Sequence, residues 1–486
     1  MEENYEQLSG SVEEVIFKNS DTGYIVFDMD CSGQTITVIG ELGDISEGER
    51  LELVGNYVNS AKYGRQFKAI GCTRLPPTTP SEIRRYLGSG IIKGVGTALA
   101  KRIVEAYGDE SLEVIENDPL RLAELKGVTS DKALFISGEY RKLSGMKKVV
   151  EYLQQYGIGP MIASEVWKKY ETSSIAFIKE NPYILCEGEF GVDFEKADEI
   201  AYAEGINVND TNRMVAAMLY ILRENANSGH TCLPLNKTVD MAVEYLELEK
   251  SDIHRGIDEA IKAGQIEILN IGEKSYIYLT EYHRAEKYIT DRLSEMLKTS
   301  SAQLKDLSDE IAGVEFTENI RYEALQKAAI NGCMGNKVFI LTGGPGTGKT
   351  TTLNGVIRLF KKQKKHISLT APTGRAAKRM SEVTGENAYT IHRLLEVDFT
   401  AKDRLSFKKN EKNPLKADVV IVDEMSMVDV LIFEALLRAL KPSASLIMVG
   451  DSHQLPSVGA GNVLRDLIAC GEIPKVELTE IFRQAA

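Results

Sequence analysis

The chain has 486 residues, is 43% hydrophobic and 27% charged, and carries a net charge of −13. That length exceeds what one hydrophobic core supports, and the composition excludes collagenous, disordered and disulfide-rich classes. No apolar run approaches the roughly 18 residues of a membrane span, the start MEENYEQLSG lacks the pattern of a secretory signal, and six scattered cysteines form no C-x-x-C pair.

The acidic total hides a contrast. Between Ala324 and Ser381 there are eleven Lys and Arg and no Asp or Glu. A phosphate-binding loop avoids carboxylates for its own reasons, and a polyanion track would do the same; charge alone leaves both readings open.

In chain order, residues 1–75 read as an all-β module. The runs VEEVIF (12–17), YIVFDM (24–29), TITVIGEL (35–42) and RLELVGNYV (50–58) are short, partly alternating and separated by turn-formers. This spacing predicts an OB-like barrel, which could bind single strands or act as a structural or docking unit. RLPPTTPSE (74–82) is expected to be a linker, since its prolines disfavour helix and sheet.

Residues 80–210 take on a helical period. Within LGSGIIKGVGTALAKRIVEAYG (87–108), Gly94 and Gly96 flank Val95 just before a helix, the pattern of a helix-hairpin-helix turn. Such glycines let the chain turn sharply and leave the helix N-terminal N–H groups open to phosphate, making Gly94 and Gly96 candidate nucleic-acid contacts. Related turns recur at LKGVTSDKA (125–133), YGIGPMIA (156–163) and FGVDFEKADEIA (190–201), but only the first and third keep two glycines. The second and fourth are open to a purely packing role. Residues 211–300 offer two helical stretches, 212–226 and 252–264, then the strands QIEILN and KSYIYL, a winged-helix-like pattern ending near a break at TSSAQ (299–303).

The chemistry concentrates in residues 301–486. In KVFILTGGPGTGKTTTLNGVI a buried strand, a G-x-x-x-x-G-K-[ST] loop and a helix follow one another. Gly344, Pro345, Gly346, Thr347, Gly348, Lys349, Thr350 and Thr351 would wrap the phosphates of a nucleotide, Lys349 neutralising charge and Thr350 reaching Mg²⁺. A second strand, Val419–Val422, delivers Asp423 as a Mg²⁺ ligand and Glu424 to polarise the attacking water. Between them, HISLTAPTGRAAKRMSE supplies a strand, a loop and a basic helix. After them, SLIMVGDSHQLPSVGAGNVLRDLI carries Asp451, His453 and Gln454 to a loop, with Gln454 the candidate sensor of the γ-phosphate. His453 and His392 fit ordinary loop histidines equally well.

These segments resemble the first RecA-like domain of superfamily 1 DNA helicases, specifically the RecD-like group. GGPGTGKTT looks like its motif I, TAPTGRAA motif Ia, TIHRLL the next DNA-facing segment, VDEMSMVD motif II, GDSHQLPSVGAGNVL motif III, and LTEIFRQA the start of motif IV. The barrel and repeated hairpins resemble the long N-terminal extension of stand-alone RecD-like proteins. The fold expected is therefore multidomain: an all-β OB-like barrel, an all-α helix-hairpin-helix region, a winged-helix-like segment and a C-terminal α/β P-loop (RecA-like) domain.

The resemblance implies that Gln326 reads adenine, although the residues before it match poorly. It also implies that Arg483 acts on the γ-phosphate like an arginine finger, and that Pro372, Thr373, Arg375, His392 and Val458 face DNA. ATP and Mg²⁺ are the implied cofactors. Single-stranded DNA and DNA forks are the implied partners, with single-strand-binding protein a further candidate. The implied protein is a cytoplasmic monomer, moving 5′ to 3′ in DNA repair or recombination. A second RecA-like domain is missing from the sequence, so a truncated chain that binds nucleotide without unwinding is expected. The other reading is a DNA-binding or partner-docking module with ATP as a conformational ligand. A relaxase–helicase fusion is disfavoured, because neither a His-rich metal cluster nor a nucleophilic Tyr motif precedes the ATPase.

Overall fold

The N-terminal strands β1 (Glu6–Lys18), β2 (Tyr24–Cys31), β3 (Gln34–Glu41), β4 (Arg50–Ser60) and β5 (Gly64–Leu75) close into a barrel of order β1-β2-β3-β5-β4. The computed structural model describes residues 6–19, 23–31, 33–42, 45–60, 64–75, 77, 79–299, 307–398, 406–451, 453–454, 457 and 459–480. They fall into two units, residues 1–177 and 178–486.

Alternation decides the barrel interior. Ile25, Phe27 and Met29 of β2 point inward with Val38, Leu51, Leu53 and Phe67, all fully buried. The pairing of β3 with β5 is parallel and the other pairings are antiparallel, the connectivity of an OB-fold. Strand β5 is not among the four runs read from the sequence, because its GRQFKAIGCTRL alternation hides Phe67 and Ala69 among polar residues and a bulge at Val54/Gly55 shifts its register against β4.

The linker expectation for 74–82 is corrected at both ends. Strand β5 runs through Leu75, and helix α1 (Pro80–Gly88) opens at Pro80 itself. Proline is tolerated at a first helical position, whose N–H has no intrahelical partner, and a capping box between Thr79 and Glu82 fixes that start. Helices α2 (Thr97–Tyr107), α3 (Ser111–Asn117), α4 (Ser130–Gln154) and α5 (Pro160–Tyr170) follow, then α6 (Ser174–Glu180). Buried Ile83, Leu87, Ile92, Leu99, Ile103 and Ile136 form the core of the first hairpins.

In the second unit, α7 (Phe194–Ala203) packs its Phe194, Ala197 and Ala201 into one core with α8 (Thr211–Asn227), α9 (Leu235–Leu246) and α10 (Lys250–Lys262). A three-stranded sheet of order β6-β8-β7 completes this module: β6 (Cys232–Pro234), β7 (Ile266–Ile271) and β8 (Lys274–Leu279). The order helix, strand, two helices and a hairpin is that of a winged helix. The structure adds α9 and β6 to the two helices and hairpin expected.

Helix α11 (Thr280–Lys298) leads onward, and the expected break at 299–303 lies, apart from Thr299, outside the described residues. The ATPase part contains α12 (Ser308–Glu318), α13 (Ala324–Gly335), β9 (Val338–Gly343), α14 (Lys349–Lys362), β10 (Ile367–Ala371), α15 (Gly374–Thr384), β11 (Ala388–Thr390) and α16 (Ile391–Leu395). A small ribbon, β12 (Val397–Asp398) and β13 (Ser406–Phe407), precedes β14 (Val419–Val422), α17 (Val430–Ala439), β15 (Ser445–Gly450), α18 (Val463–Cys470) and β16 (Lys475–Leu478). Six parallel strands take the order β11-β10-β14-β15-β9-β16.

Both sheet faces are covered, so the strands are apolar throughout. Val338, Ile340, Val420, Val422, Leu446 and Met448 face one core with α11 and α17, while Phe339, Leu341, Val419, Ile421, Ile447 and Val449 face the other with α13 and α14. Strand β9 runs on through α14 to β10 on one side of it, while its neighbour β15 runs on through α18 to β16 on the other. The loop after β9 therefore lies at the switch point of the sheet, where open α/β folds place ligands. No helix among the described residues is long and apolar enough to cross a membrane.

Candidate nucleotide and nucleic-acid sites

The loop from Gly343 to Gly348 is shaped from within. Gly346 and Gly348 adopt left-handed φ values of +77° and +83°, and Gly348 is the N-cap of α14. A Cβ on Gly343 would stand 2.6 Å from the carbonyl oxygen of Leu478 in β16, so that strand closes one wall of the loop. The buried Thr347 hydroxyl donates to the Gly344 carbonyl at 2.9 Å. Lys349 donates from Nζ to the carbonyls of Gly343 and Gly344, the second at 2.9 Å. Thr350 and Thr351 stand in the first turn of α14, where backbone N–H groups lack intrahelical partners.

Strand register brings the carboxylates to this loop. Thr370 of β10 lies opposite Val422 of β14, and the N–H of Asp423 donates to the Thr370 carbonyl at 2.9 Å. The N–H of Glu424 donates to Asp423 Oδ1 at 2.9 Å. Glu424 is held at φ +53°, a left-handed conformation uncommon for a non-glycine residue and frequent at functional sites. From β15, the buried Asp451 accepts the N–H of His453 at 2.9 Å, which turns the chain toward the exposed Gln454.

Electrostatics tie these groups together. Burial lowers the pKa of Lys349, against the opposing pull of Asp451, Glu424 and Asp423. Burial raises Asp423, and burial together with the Asp423 charge raises Glu424. Arg379 on α15 acts on Lys349, Asp423 and Glu424 alike, a neighbour that the sequence reading placed only on a basic helix. Its position four residues, about one helical turn, beyond Arg375 was the available signal. Five glycine-loop positions, a lysine, a helix N-terminus and two carboxylates thus converge, a donor set that fits a magnesium-bound nucleoside triphosphate.

The remaining candidates fall in several places. Gln326 is buried, and its Oε1 accepts the N–H of Glu323 at 3.0 Å, closing a capping box at the start of α13. Pro372, Thr373 and Arg375 occupy the β10–α15 connection, where Thr373 caps the N–H of Ala376 at 3.2 Å and Arg375 is exposed. His392 lies on α16, its ring 6.1 Å from that of Phe407. Val458 and Arg483 lie outside the described residues.

The hairpin turns share one backbone design. Gly94, Gly127, Gly157 and Gly191 have φ values of +91°, +82°, +68° and +60°. Each precedes a buried Val95, Val128, Ile158 or Val192, and then the N-cap of a helix: Gly96, Thr129, Gly159 or Asp193. The caps differ. Thr129 turns its own hydroxyl onto the N–H of Lys132 at 3.2 Å, filling the place a phosphate would take, and Asp193 brings a negative charge. Gly96 and Gly159 have ordinary φ values of −104° and −70°, and a Cβ on either would meet nothing within 4 Å.

Comparison with known proteins agrees with this layout. Residues 5–77 match the family described as ATP-dependent DNA helicase YrrC, OB-fold domain; residues 142–232 match the ATP-dependent RecD2 DNA helicase HHH domain; residues 326–460 match an AAA domain. Over 99% of its length the chain is 28% identical to an ATP-dependent RecD2 DNA helicase of Deinococcus radiodurans, of which it covers 68%. This chain belongs to the RecD-like group of superfamily 1 helicases. Among other RecD-like relatives, the RecD subunit of the Mycobacterium tuberculosis RecBCD enzyme is 34% identical over 41% of this chain and 37% of its own. The Haemophilus influenzae RecBCD subunit RecD is 38% identical over 29% of this RecD-like chain and 26% of its own.

Proposed function

We propose that this RecD-like chain acts in an ATP-dependent DNA helicase, translocating 5′ to 3′ on single-stranded DNA and unwinding duplex in repair or recombination. The observation that carries this reading is the convergence of Lys349, Asp423 and Glu424 on one glycine loop at the switch point of the sheet.

Bound Mg²⁺–ATP would supply the phosphoanhydride and the metal's positive charge. The chain's own groups do the rest. Backbone N–H groups of Gly344 and of Gly346 to Thr351 cradle the phosphates, and Lys349 exchanges its loop carbonyls for phosphate oxygens. Thr350 and Asp423 hold the metal. Glu424, its carboxyl raised above the ordinary range, accepts a proton from the attacking water more readily than an unperturbed carboxylate would. Gln454 senses the γ-phosphate, Arg483 adds positive charge to it, and Gln326 faces the adenine. Pro372, Thr373, Arg375, His392 and Val458 form the strand-facing side, and Gly94 and Gly96 hold a phosphate of the DNA backbone.

Equilibrium titration of residues 1–486 with fluorescent ATP tests the first step. Magnesium-dependent uptake is expected, and its absence would sink the proposal. A polypeptide of these residues alone is expected to bind nucleotide without unwinding a forked duplex. DNA affinity that is unaffected by nucleotide, in a protein that never hydrolyses it, would favour the DNA-docking alternative.

A further inference from the structure

The winged-helix module meets the ATPase at the turn that follows α8. Beyond the end of α8 the chain turns at Gly229, whose φ is +95°, and the N–H of His230 reaches back to the Asn225 carbonyl at 3.0 Å. This termination leaves the Gly229 carbonyl to accept the N–H of Gly461 at 3.0 Å, from the loop between β15 and α18.

Gly461 has no room for another residue. Its φ is +95°, and a Cβ there would stand 2.3 Å from Val430 Cγ2 and 3.3 Å from Thr231 Cγ2. The same loop accepts the N–H of Val430 on the Ala460 carbonyl at 3.0 Å, supplying a partner to an N–H in the first turn of α17. Ser457 ties the loop to itself, its hydroxyl within 2.9 Å of the Gly459 carbonyl and 2.8 Å of the Gly461 carbonyl. A Cβ on Gly459 would stand 2.7 Å from Asp429 Oδ2. Asp429 and Val430 close the segment that begins with Asp423 and Glu424, and Gln454 lies three residues before Ser457. Three chain segments therefore meet at Gly461: the carboxylate segment, the Gln454 loop and the turn after α8.

We infer that the α8–β6 turn of the winged helix is a positioning element for the γ-phosphate-sensing loop, with Gly229, Thr231 and Gly461 as the residues that transmit its position. The inference rests on the nucleotide-site reading above. Close packing makes the junction discrete rather than deformable, so a shift of the turn must move the loop, and the loop's state must equally bias the turn.

The test compares fluorescent ADP with a fluorescent non-hydrolysable ATP analogue, both with Mg²⁺, on residues 1–486. The unsubstituted protein is expected to favour the triphosphate. Gly461→Ala, and independently Thr231→Arg from the winged-helix side, should reduce that preference by about tenfold while leaving ADP affinity in place. Thr231→Val, which keeps the shape, should retain it. Gly264→Ala carries comparable backbone strain, at φ +68° with nothing within 4 Å, elsewhere in the winged helix, and should also retain it.

An unchanged preference in Thr231→Arg, with the circular dichroism of the folded protein, overturns the inference. An equal loss in Gly264→Ala overturns it too, since general loosening would then explain the effect. Failure of the unsubstituted protein to take up either nucleotide would remove the nucleotide-site reading, and this inference with it.

Discussion

The glycine loop of the ATPase and the hairpin turns of the N-terminal half both place glycine before a helix, for different reasons. In the ATPase loop the protein itself demands glycine: Gly346 and Gly348 are left-handed, and Gly343 has the β16 backbone against it. At the hairpin N-caps Gly96 and Gly159 no internal demand exists, since φ is ordinary and the space is open. A glycine that nothing inside the protein requires leaves its backbone open, as the proposed phosphate contact needs. At Thr129 and Asp193 the same backbone carries a polar side chain at the N-cap instead, and that of Thr129 accepts the Lys132 N–H.

The largest expected effect sits on the ATPase side. Glu424→Gln should retain nucleotide affinity and reduce DNA-stimulated turnover by about a hundred- to ten-thousandfold in a hydrolysing preparation. The same variant carries a pH signature. Because the folded-state carboxyl is raised, its ionisation destabilises the nucleotide-free protein; that cost is absent below the unfolded carboxyl range and appears as pH rises through the folded value. At pH 7 the Gln variant should therefore melt higher than the unsubstituted protein, and the advantage should vanish near pH ~4. An advantage that persists at acid pH would break the electrostatic account.

Next, Lys349→Ala should weaken Mg²⁺–nucleotide binding by about a hundredfold, read by the same fluorescent titration. Gly96→Asp sharpens the comparison directly. It should lower affinity for DNA by about tenfold and flatten the salt dependence by about one phosphate contact, with unchanged thermal stability. If stability falls instead, the glycine serves the fold. The smallest effect is Thr129→Ala, expected to cost about 1 kcal/mol of stability and to leave DNA affinity alone.

The ATPase half was legible because buried parallel strands write themselves as uninterrupted apolar runs and the phosphate loop has a fixed spacing. Strand β5 was not, since Phe67 and Ala69 stand among Arg, Gln and Lys. Helix α9 escaped because LNKTVDMAVEYL mixes β-branched and acidic residues, and β6 because three residues with a proline carry no period. Among the site residues, Lys349, Asp423 and Glu424 were readable by motif. The approach of Arg379 was not, because it depends on how α15 leaves the sheet beside β14. For Gln326 the sequence gives only its position ahead of the loop; that its carbonyl oxygen also accepts the Glu323 N–H and caps α13 is visible only in the fold.

The ammonium of Lys349 already rests on the carbonyls of Gly343 and Gly344. Filling the loop is therefore a swap of one set of oxygens for another, and emptying it is the same swap in reverse. On the nucleotide reading proposed above, the ammonium would keep oxygen partners throughout, so a departing nucleotide would leave no unpaired charge behind it.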